Sequence, residues 1–269
     1  MDSCRVAVFA ADNGVVDEGV SCAPRSVTLQ QAINMTRRRT GMSAMAAAFG
    51  DDVAVVDVGI AADVPGVGIL DRKVRRGTGN IAVEDAMTRP EALAAMAAGM
   101  EQAARARADS ITALGIGEMG IGNTSTSAAV LSALTGADIE VVTGRGGGLT
   151  DEGFARKKDV LRRALTRRAV DKDDVLDVLC AVGGLDIAAM AGAFLGCARE
   201  RIPAAASSPL WPHCVPLRCA PKCGTICFCP TTPMRWATAW QQTGWVWSPA
   251  CIWECGWVRA AGVPCCSGC

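Results

Sequence analysis

The sequence predicts an α/β fold in which helices cover both faces of a parallel sheet. Short apolar stretches alternate with Ala-rich stretches of helical length through residues 1–202. The short stretches are apolar throughout, which is typical of strands buried on both faces. Each of the first three ends in a glycine-containing turn, and ligands of such sheets bind at the carboxyl ends of the strands. The expected architecture is a Rossmann-like three-layer sandwich.

The predicted elements alternate as a parallel sheet requires. Strands are predicted over residues 6–10, 53–58 and 111–116. Helices are predicted over 28–48, from Pro90 onward, after Asn123 or Thr124, near 151–168 and near 186–199. Pro90 suits the first turn of a helix, and Asn123 or Thr124 is expected to cap the helix that follows. A long glycine-containing loop is expected between the second strand and Pro90.

Charge and hydropathy argue against several classes of protein. The 269 residues carry 27 Lys and Arg against 27 Asp and Glu, so the formal net charge is zero. This balance argues against nucleic acid or an anionic membrane as the main partner. No apolar run reaches the roughly 20 residues of a membrane-spanning helix, and the first residues lack the layout of a signal peptide. We therefore expect a cytoplasmic enzyme.

The composition changes abruptly near Pro203. All seven Trp, the only His and ten of the 14 Cys lie beyond residue 210. After Pro203 the only acidic residue is Glu254. One folding domain does not explain such a change. We therefore predict an α/β domain over residues 1–202 and treat residues 203–269 as a tail that is not expected to pack as a domain.

The segment 117–124, Gly-Glu-Met-Gly-Ile-Gly-Asn-Thr, follows the third predicted strand. Glycines let backbone N–H groups approach a ligand closely, and the next helix presents its positive N-terminal end, so the pattern indicates a phosphate site. Glu118 is placed to orient a ribose hydroxyl or to accept a proton. The alternative is an ordinary strand-to-helix turn, which the pattern alone leaves as the commoner outcome because short glycine-rich turns are frequent.

Two further segments carry candidate residues. The segment 144–149, Gly-Arg-Gly-Gly-Gly-Leu, is by pattern alone a flexible turn, and Lys157 and Lys158 follow it. Paired lysines on a helix usually face solvent, although one of them is placed to neutralise a phosphate held by 117–124. The acidic segment 11–21 follows the first strand, where catalytic side chains often lie, but a plain surface loop is the favoured interpretation.

The Cys-rich tail does not have the spacing of a zinc site. Only Cys266 and Cys269 show the Cys-x2-Cys spacing, and no second such pair exists. A reducing cytoplasm also disfavours disulfides. We therefore predict no metal site and disfavour a Cys-rich interaction module. A dinucleotide-dependent dehydrogenase is disfavoured as well, because the first strand ends in Ala-Asp-Asn-Gly and not in Gly-x-Gly-x-x-Gly.

Taken in order, these segments resemble the nicotinate-nucleotide–dimethylbenzimidazole phosphoribosyltransferases of cobalamin assembly. The resemblance covers roughly residues 5–203 and rests on the segments 11–21, 55–59, 75–80, 85–88, 117–124, 144–149 and 181–203. It implies a parallel α/β sandwich, usually a homodimer, that needs no metal or other cofactor. It also implies transfer of the phosphoribosyl group from nicotinate mononucleotide to 5,6-dimethylbenzimidazole, which gives α-ribazole 5′-phosphate and nicotinate.

The resemblance also implies roles for individual residues. The residues implied to hold the phosphate and the ribose are Gly120, Ile121, Gly122, Asn123, Thr124 and Lys157. Glu118 is implied to lie near the ribose and the base pocket as an auxiliary catalytic residue. Ser21 and Gln30 resemble residues that line the benzimidazole pocket. Lys158 stays an alternative to Lys157.

Three features depart from the family pattern. Asn13 stands where the family commonly has His, so any role of that His is lost. Arg38, Arg39 and Thr40 stand where small residues are usual. Family members also begin well upstream with a further helical segment, so we expect an N-terminal part to be missing from this chain.

The tail resembles the same gene translated in another reading frame. Back-translation of residues 251–262, read one base out of frame, permits His-Met-Gly-Met-Arg-Leu-Gly-Glu-Gly-Ser-Gly. The family carries its catalytic base, a Glu, in such a stretch, and the same shift makes residues 222–230 family-like. We therefore hypothesise a frameshift between about Ala198 and Trp211. The sequence leaves open whether it is a sequencing error, a gene lesion or a translational event.

The altered tail has consequences for activity. Glu254 is not the expected base because its neighbours differ, and the strand after Pro203 is expected to be lost. The chain as written is therefore expected to have low or no turnover and marginal stability. Two functions stay open: an active transferase, if the natural protein continues in the other frame, and a catalytically inactive phosphate-binding fragment.

Overall fold

The computed structural model describes residues 3–66, 68–167 and 169–206 of the chain. The strands are β1 (Cys4–Ala11), β2 (Asp52–Gly59), β3 (Leu70–Asp71), β4 (Ala113–Met119) and β5 (Ala204–Ala206). The helices are α1 (Val27–Thr36), α2 (Gly41–Phe49), α3 (Arg89–Ala108), α4 (Asn123–Thr135), α5 (Ile139–Val142), α6 (Asp151–Thr166), α7 (Val175–Val182) and α8 (Leu185–Glu200). A short 3-10 helix, Gly14–Glu18, follows β1.

The described strands form one parallel sheet in the order β3-β2-β1-β4-β5. In the centre, Val8 on β1 aligns with Val55 on β2 and with Gly117 on β4. The chain winds from β1 out to β3 and then returns to place β4 and β5 on the other side of β1. The winding direction therefore reverses between β1 and β4, where doubly wound sheets form their ligand crevice. The predicted fold class is confirmed.

Each face of the sheet is covered by a separate apolar layer. On one face, α1 packs near the fully buried Ala10 and Ile60. On the other face, Phe9 belongs to the main core, which includes α3 and α8. Successive strand residues point to opposite faces. Beyond β1, Asp12 accordingly lies on the α1 side and Asn13 on the α8 side, near the start of α8.

Helices α3 and α8 are in backbone contact because glycines lie where they cross. A Cβ atom on Gly99 would lie 1.9 Å from the carbonyl oxygen of Ala189. A Cβ atom on Gly192 would lie 2.0 Å from the carbonyl oxygen of Met96. Both distances are far inside van der Waals contact, so this interface has room for no side chain larger than hydrogen. The close packing fixes the position of α8, whose first turn lies at the end of β1.

The prediction of one continuous helix over 28–48 is wrong, because the chain forms two helices, α1 and α2, with a break between them. Arg38 has a φ of 59°, which the interior of a helix does not accommodate. Helix α2 then begins with a capping box, in which Thr40 and Ser43 bond each other's side chains and backbone N–H groups. The Ala-, Met- and Gln-rich composition favours helix on both sides of the break, which is why the break was not predicted.

The start of α4 also differs from the prediction. Gly122 is the N-cap, and neither Asn123 nor Thr124 takes that position. The reason is conformational, since the cap has a φ of 93°, which favours glycine. The Asn123 side chain donates instead to Glu118.

Several described elements were absent from the prediction. Helices α5 and α7, strand β3 and the 3-10 helix after β1 lie in stretches to which no regular element was assigned. The strand after Pro203 was expected to be lost, and this is wrong, because Ala204–Ala206 pairs with β4. A strand pairs through its backbone, and small Ala side chains fit at this buried position. The sheet therefore continues to the last described residue.

The expectations about the tail lie outside the described residues from position 207 onward. They are the lack of packing as a domain, the frameshift hypothesis and the assignment of Glu254, and they stay predictions. Among the described residues, no helix is both long enough and apolar enough to cross a membrane.

Helix α3 begins with a capping box that can be tested directly. The backbone N–H of Thr88 donates to Glu91 Oε2 at 2.7 Å, and the N–H of Glu91 donates to Thr88 Oγ1 at 3.4 Å. We expect Thr88→Ala to lower the free energy of unfolding by about 1 kcal/mol, because the helix loses the acceptor of one N-terminal N–H group. Urea denaturation measures the change, and an unaltered midpoint would contradict the role of this cap.

Candidate functional site

The loop between β4 and α4 lies directly against the end of β1. A Cβ atom on Gly120 would lie 2.2 Å from the Ala11 carbonyl oxygen and 3.0 Å from Asp186 Oδ2. Gly122 combines its positive φ with a position where a Cβ atom would lie 2.7 Å from Val16 Cγ2. Glycine is therefore required at both positions. The backbone of the loop consequently lies at the point where the winding direction of the sheet reverses.

The N-terminus of α4 offers backbone donors at this loop. The N–H groups of Ile121, Asn123 and Ser125 donate to oxygen atoms of the protein. The N–H groups of Gly122 and Thr124 donate no hydrogen bond to another described residue. Unpaired N–H groups at a helix N-terminus carry the positive end of the helix dipole. The loop therefore has the geometry of an anion site.

Lys157, on α6, brings an ammonium group to the same helix terminus. Its Nζ atom donates to Thr124 Oγ1 at 2.6 Å and to the Gly144 carbonyl oxygen at 3.0 Å. The side chain is fully buried, and burial lowers the pKa of Lys157 to about 8. The ammonium form therefore still predominates at neutral pH. A buried cation without a carboxylate partner among the described residues is costly, and an anion at the start of α4 would offset that cost.

Lys158 occupies a different environment. Its Nζ atom donates to Glu140 Oε2 at 2.6 Å and lies 4.5 Å from the centre of the Phe154 ring. The structure thus separates the two lysines that the sequence left as alternatives. Lys157 faces the 117–124 loop, and Lys158 is committed to a surface ion pair.

The bond from Lys157 determines what the Thr124 hydroxyl can do. An ammonium group can only donate, so Thr124 Oγ1 is the acceptor in this pair. The hydrogen of the Thr124 hydroxyl is therefore left to donate to another acceptor. With the N–H groups of Gly122 and Thr124, it makes a third donor at the start of α4.

The segment 144–149 covers Lys157 and is more than a free turn. Its Gly144 carbonyl accepts the bond from Lys157. Gly146 has a φ of 59°, and a Cβ atom there would lie 3.1 Å from Thr124 Oγ1. A Cβ atom on Gly147 would lie 3.1 Å from Cys22 Sγ. The segment therefore lies between the N-terminus of α4 and the loop that follows β1.

Two acidic groups lie on the α8 side of the loop. Glu118 is half-buried at the end of β4 and accepts a hydrogen bond from Asn123 Nδ2. Asp186 is fully buried in the first turn of α8. Burial, and secondarily the negative charge of Glu118, raise the pKa of Asp186 to about 7. The predicted positions of Glu118 and Asn123 are thus brought together with a buried carboxyl group that the sequence did not single out.

The α1 side of the loop contains a third carboxyl group. Asp12 Oδ2 accepts a hydrogen bond from the Ala61 N–H at 2.8 Å, and burial raises the pKa of Asp12. Thr28, on α1, lies beside Asp12 and accepts a bond from the Ile121 N–H at 3.0 Å. Helix α1 is therefore tied directly to the glycine-rich loop.

The two predicted base-pocket residues lie near this connection along the chain. Ser21 is half-buried, and its Oγ accepts a hydrogen bond from the Ala23 N–H at 3.2 Å. Gln30 is exposed on α1, two residues after Thr28. Their contact with a base stays a prediction.

Sequence reasoning did not single out Asp186 or, within the candidate segment 11–21, Asp12, and it considered Asn13 only as a departure from the family. A signal for Asp186 was available, because it is the only charged residue between Asp177 and Arg199. A lone carboxyl group in an apolar helix is either paired or functional. Asp12 offered no comparable signal, since acidic residues are ordinary in loops.

The sheet and the glycine-rich loop define a doubly wound α/β protein with a candidate anion site at its switch point. A family model described as a phosphoribosyltransferase matches residues 1–205. The chain belongs to this phosphoribosyltransferase family.

Several relatives carry a more specific name. The nicotinate-nucleotide–dimethylbenzimidazole phosphoribosyltransferase of Geobacter metallireducens is 47% identical over 196 residues, which are 72% of this chain and 56% of that protein. The Clostridium perfringens protein of the same name is 44% identical over 203 residues, 76% of this chain and 56% of that protein. The matched chain therefore spans a little over half the length of these relatives.

A solved structure extends the similarity to three dimensions. The crystal structure of CobT from Thermus thermophilus matches with a TM-score of 0.72 and 40% sequence identity. The match covers 77% of this chain and 62% of that chain. At this identity, the similarity supports both the fold and the family.

Proposed function

We propose that the chain binds nicotinate mononucleotide and belongs to an enzyme that transfers its phosphoribosyl group to 5,6-dimethylbenzimidazole. The observation that carries the proposal is the fully buried Lys157 ammonium, bonded to Thr124 at the N-terminus of α4. A phosphate monoester supplies the negative charge that such an arrangement lacks. The names of the relatives supply the particular nucleotide and base.

The proposed phosphate contacts follow from the available donors. The N–H groups of Gly122 and Thr124 and the Thr124 hydroxyl donate to phosphate oxygens. Lys157 contributes its charge through Thr124, and directly where the 144–149 segment shifts to admit the ligand. Glycine at 120 and 122 lets the phosphate approach the backbone. Ile121 and Asn123 hold the loop, since the Ile121 N–H bonds Thr28 and the Asn123 side chain bonds Glu118.

The proposed reaction exchanges one C–N bond for another. A nitrogen of the benzimidazole attacks ribose C1′, the bond from C1′ to nicotinate breaks with inversion, and the ring oxygen stabilises the developing cation. A base takes the proton from the other benzimidazole nitrogen, a contribution typically of about 10²–10⁴-fold in rate. Glu118 is proposed to orient the ribose and assist this step. Ser21 and Gln30 are proposed to line the base pocket.

A second candidate function is nucleotide binding without transfer. This function is favoured by the sequence, in which Glu254 is the only residue with a carboxylate side chain after Pro203. The expected family base therefore has no counterpart in that stretch. The N-terminus of α4 and Lys157 do not depend on the tail, so binding is expected to survive even without catalysis.

The proposed setting is that of the family. We propose a homodimer in the cytoplasm that acts on small-molecule substrates and not on nucleic acid or membranes. The chemistry needs no metal or other cofactor, because nicotinate is itself a good leaving group when it departs from its cationic nucleotide.

The test separates binding from turnover. Calorimetry of the chain with nicotinate mononucleotide is expected to show binding that inorganic phosphate weakens by competition. With dimethylbenzimidazole added, chromatography is expected to show α-ribazole 5′-phosphate from a chain with the frame restored after Ala206 but little or none from the chain as written. Absence of nucleotide binding by both chains would contradict the proposed function.

A matched variant identifies the contribution of Glu118. If both chains give product, the base lies among the described residues, and Glu118→Gln is expected to abolish turnover. If only the chain with the restored frame gives product, Glu118→Gln in that chain is expected to lower turnover while nucleotide binding persists.

A further inference from the structure

Asp186 is a buried carboxyl group to which the proposed reaction assigns no role. It lies in the first turn of α8 and is 0% exposed. Its Oδ1 atom accepts a hydrogen bond from the Ile187 N–H at 2.9 Å. Its Oδ2 atom has no hydrogen-bond partner among the described residues. A buried polar atom without a partner is rare in native structures and calls for an explanation.

The orphaned oxygen of Asp186 faces the phosphate-binding loop. A Cβ atom on Gly120 would lie 3.0 Å from Asp186 Oδ2 and 3.1 Å from Asn13 Nδ2. A Cβ atom on Gly184 would lie 2.2 Å from Asp186 Oδ1 and 2.8 Å from Asn13 Oδ1. Glycines at 120 and 184 thus leave the space in which Asp186 and Asn13 meet.

Asn13 connects Asp186 to the loop. Its side chain lies beside the Asp186 carboxyl group, and its Nδ2 atom donates to the Ile121 carbonyl oxygen at 3.5 Å. The Asn13 Oδ1 atom, like Asp186 Oδ2, has no donor among the described residues. Two neighbouring side chains therefore each have a buried acceptor atom that receives no hydrogen bond.

The charges that face Asp186 do not favour its ionised form. From β4 it meets Glu118, whose negative charge opposes ionisation. The end of β1 contributes the uncharged Asn13, and the loop contributes glycine backbone. Among the described residues, no Lys or Arg forms an ion pair with Asp186, and Lys157 bonds Thr124 and Gly144 instead. A buried carboxylate without a cation takes up a proton when it can.

We infer that Asp186 is a positioning residue that acts as a neutral carboxylic acid and, through Asn13, holds the phosphate-binding loop in place. Its proton is the donor that the two orphaned oxygens lack. When Asp186 loses this proton, a second negative charge appears beside Glu118 and next to the phosphate. Phosphate binding is therefore coupled to proton uptake by Asp186. The inference rests on the proposed function, because it assigns the phosphate to this loop.

Calorimetry with Asp186→Asn tests the coupling. Asparagine keeps the shape and can donate a hydrogen bond to Asn13, as the protonated carboxyl group would, but it stays neutral at every pH. At pH 6, we expect wild type and variant to bind nicotinate mononucleotide equally. At pH 8, we expect the variant to bind about 3- to 10-fold more tightly, the effect of removing one nearby negative charge at intermediate dielectric constant. Measured in two buffers of different ionisation enthalpy, it is also expected to take up fewer protons than wild type.

The comparison of wild type with Asp186→Asn isolates the protons that Asp186 takes up. Lys157 also gains protons on phosphate binding, but it is present in both proteins. Identical pH dependence of affinity in the two proteins would overturn the inference. A purely structural role would instead weaken binding by the same factor at both pH values.

Infrared spectroscopy gives a readout that does not depend on nucleotide binding. Wild type is expected to show the carbonyl band of a buried protonated carboxyl at pH 6, which declines as the pH rises through 7. The band is expected to be absent from Asp186→Asn. If that variant does not fold, Asp186→Glu is measured instead, and its band is expected to be shifted. No such band at pH 6 refutes the inference. Failure to bind nucleotide, with the band present, refutes the proposed function instead.

Discussion

Gly192→Ala is expected to destabilise the fold strongly, because the added methyl group overpacks the contact between α3 and α8. The new Cβ atom would lie 2.0 Å from the Met96 carbonyl oxygen, so α3 and α8 must separate. Overpacking of this kind costs about 1–3 kcal/mol or more. For a domain of this size we expect Tm to fall by about 6–12 °C at the upper end of that cost. Differential scanning calorimetry measures the change.

Gly41→Ala is the matched control for this prediction. It adds the same methyl group to a helical glycine, but no atom lies within 4 Å of the new Cβ and the backbone has no positive φ. We expect the Tm of Gly41→Ala to match that of wild type or exceed it slightly, because Ala is the better helix former. Equal Tm values for the two variants would show that the α3–α8 contact relaxes without cost.

Lys157→Met is expected to abolish most nucleotide binding. Hydrogen bonds to charged groups contribute about 1.5–3 kcal/mol, which corresponds to about 10- to 150-fold in affinity. Lys158→Met is the matched control, because that lysine pairs with Glu140 and does not contact the loop. Calorimetry with nicotinate mononucleotide compares the two. Equal losses in both variants would contradict the assignment of the phosphate to Lys157.

Lys157→Met is also expected to raise the free energy of unfolding in the absence of ligand. Burial lowers the pKa of Lys157 from 10.5 to about 8, so the folded state is penalised for holding the ammonium form, by a cost on the order of 3 kcal/mol at neutral pH. Between pH 8 and 10.5 the unfolded chain binds more protons than the folded chain, so this cost shrinks as the pH rises. The Tm advantage of Lys157→Met should therefore be full below pH 8 and decline toward pH 10.5.

Sequence patterns predicted the sheet because its strands are short, wholly apolar and followed by glycine turns. They did not predict the break at Arg38, because nothing in the composition of 28–48 opposes a continuous helix. They also missed β5, because Ala204–Ala206 pairs through its backbone after the composition has begun to change. Local pattern reports which stretches are buried, but a positive φ and a short edge strand depend on tertiary contacts.

The sequence likewise predicted only those parts of the candidate site that depend on local pattern. The loop 117–124 was visible because glycine spacing and a following helix are local features. The choice between Lys157 and Lys158 needed the direction of α6 relative to α4, which no local pattern contains. The sequence marks Asp186 as a lone charged residue in an apolar helix, but its position beside Asn13, which is far away in sequence, needed the structure.

The proposed phosphate site is assembled from segments that lie far apart along the chain, at Asn13, Thr124, Lys157 and Asp186. No fragment containing only one of these segments has the site, so a bound nucleotide stabilises only the chain in which all of them have come together. A ligand that binds only the folded state shifts the unfolding equilibrium by mass action, by about 2.7 kcal/mol at 100 times its Kd. If the proposed site binds it, nicotinate mononucleotide added during refolding is therefore expected to report on the entire α/β unit and to stabilise variants that fold poorly.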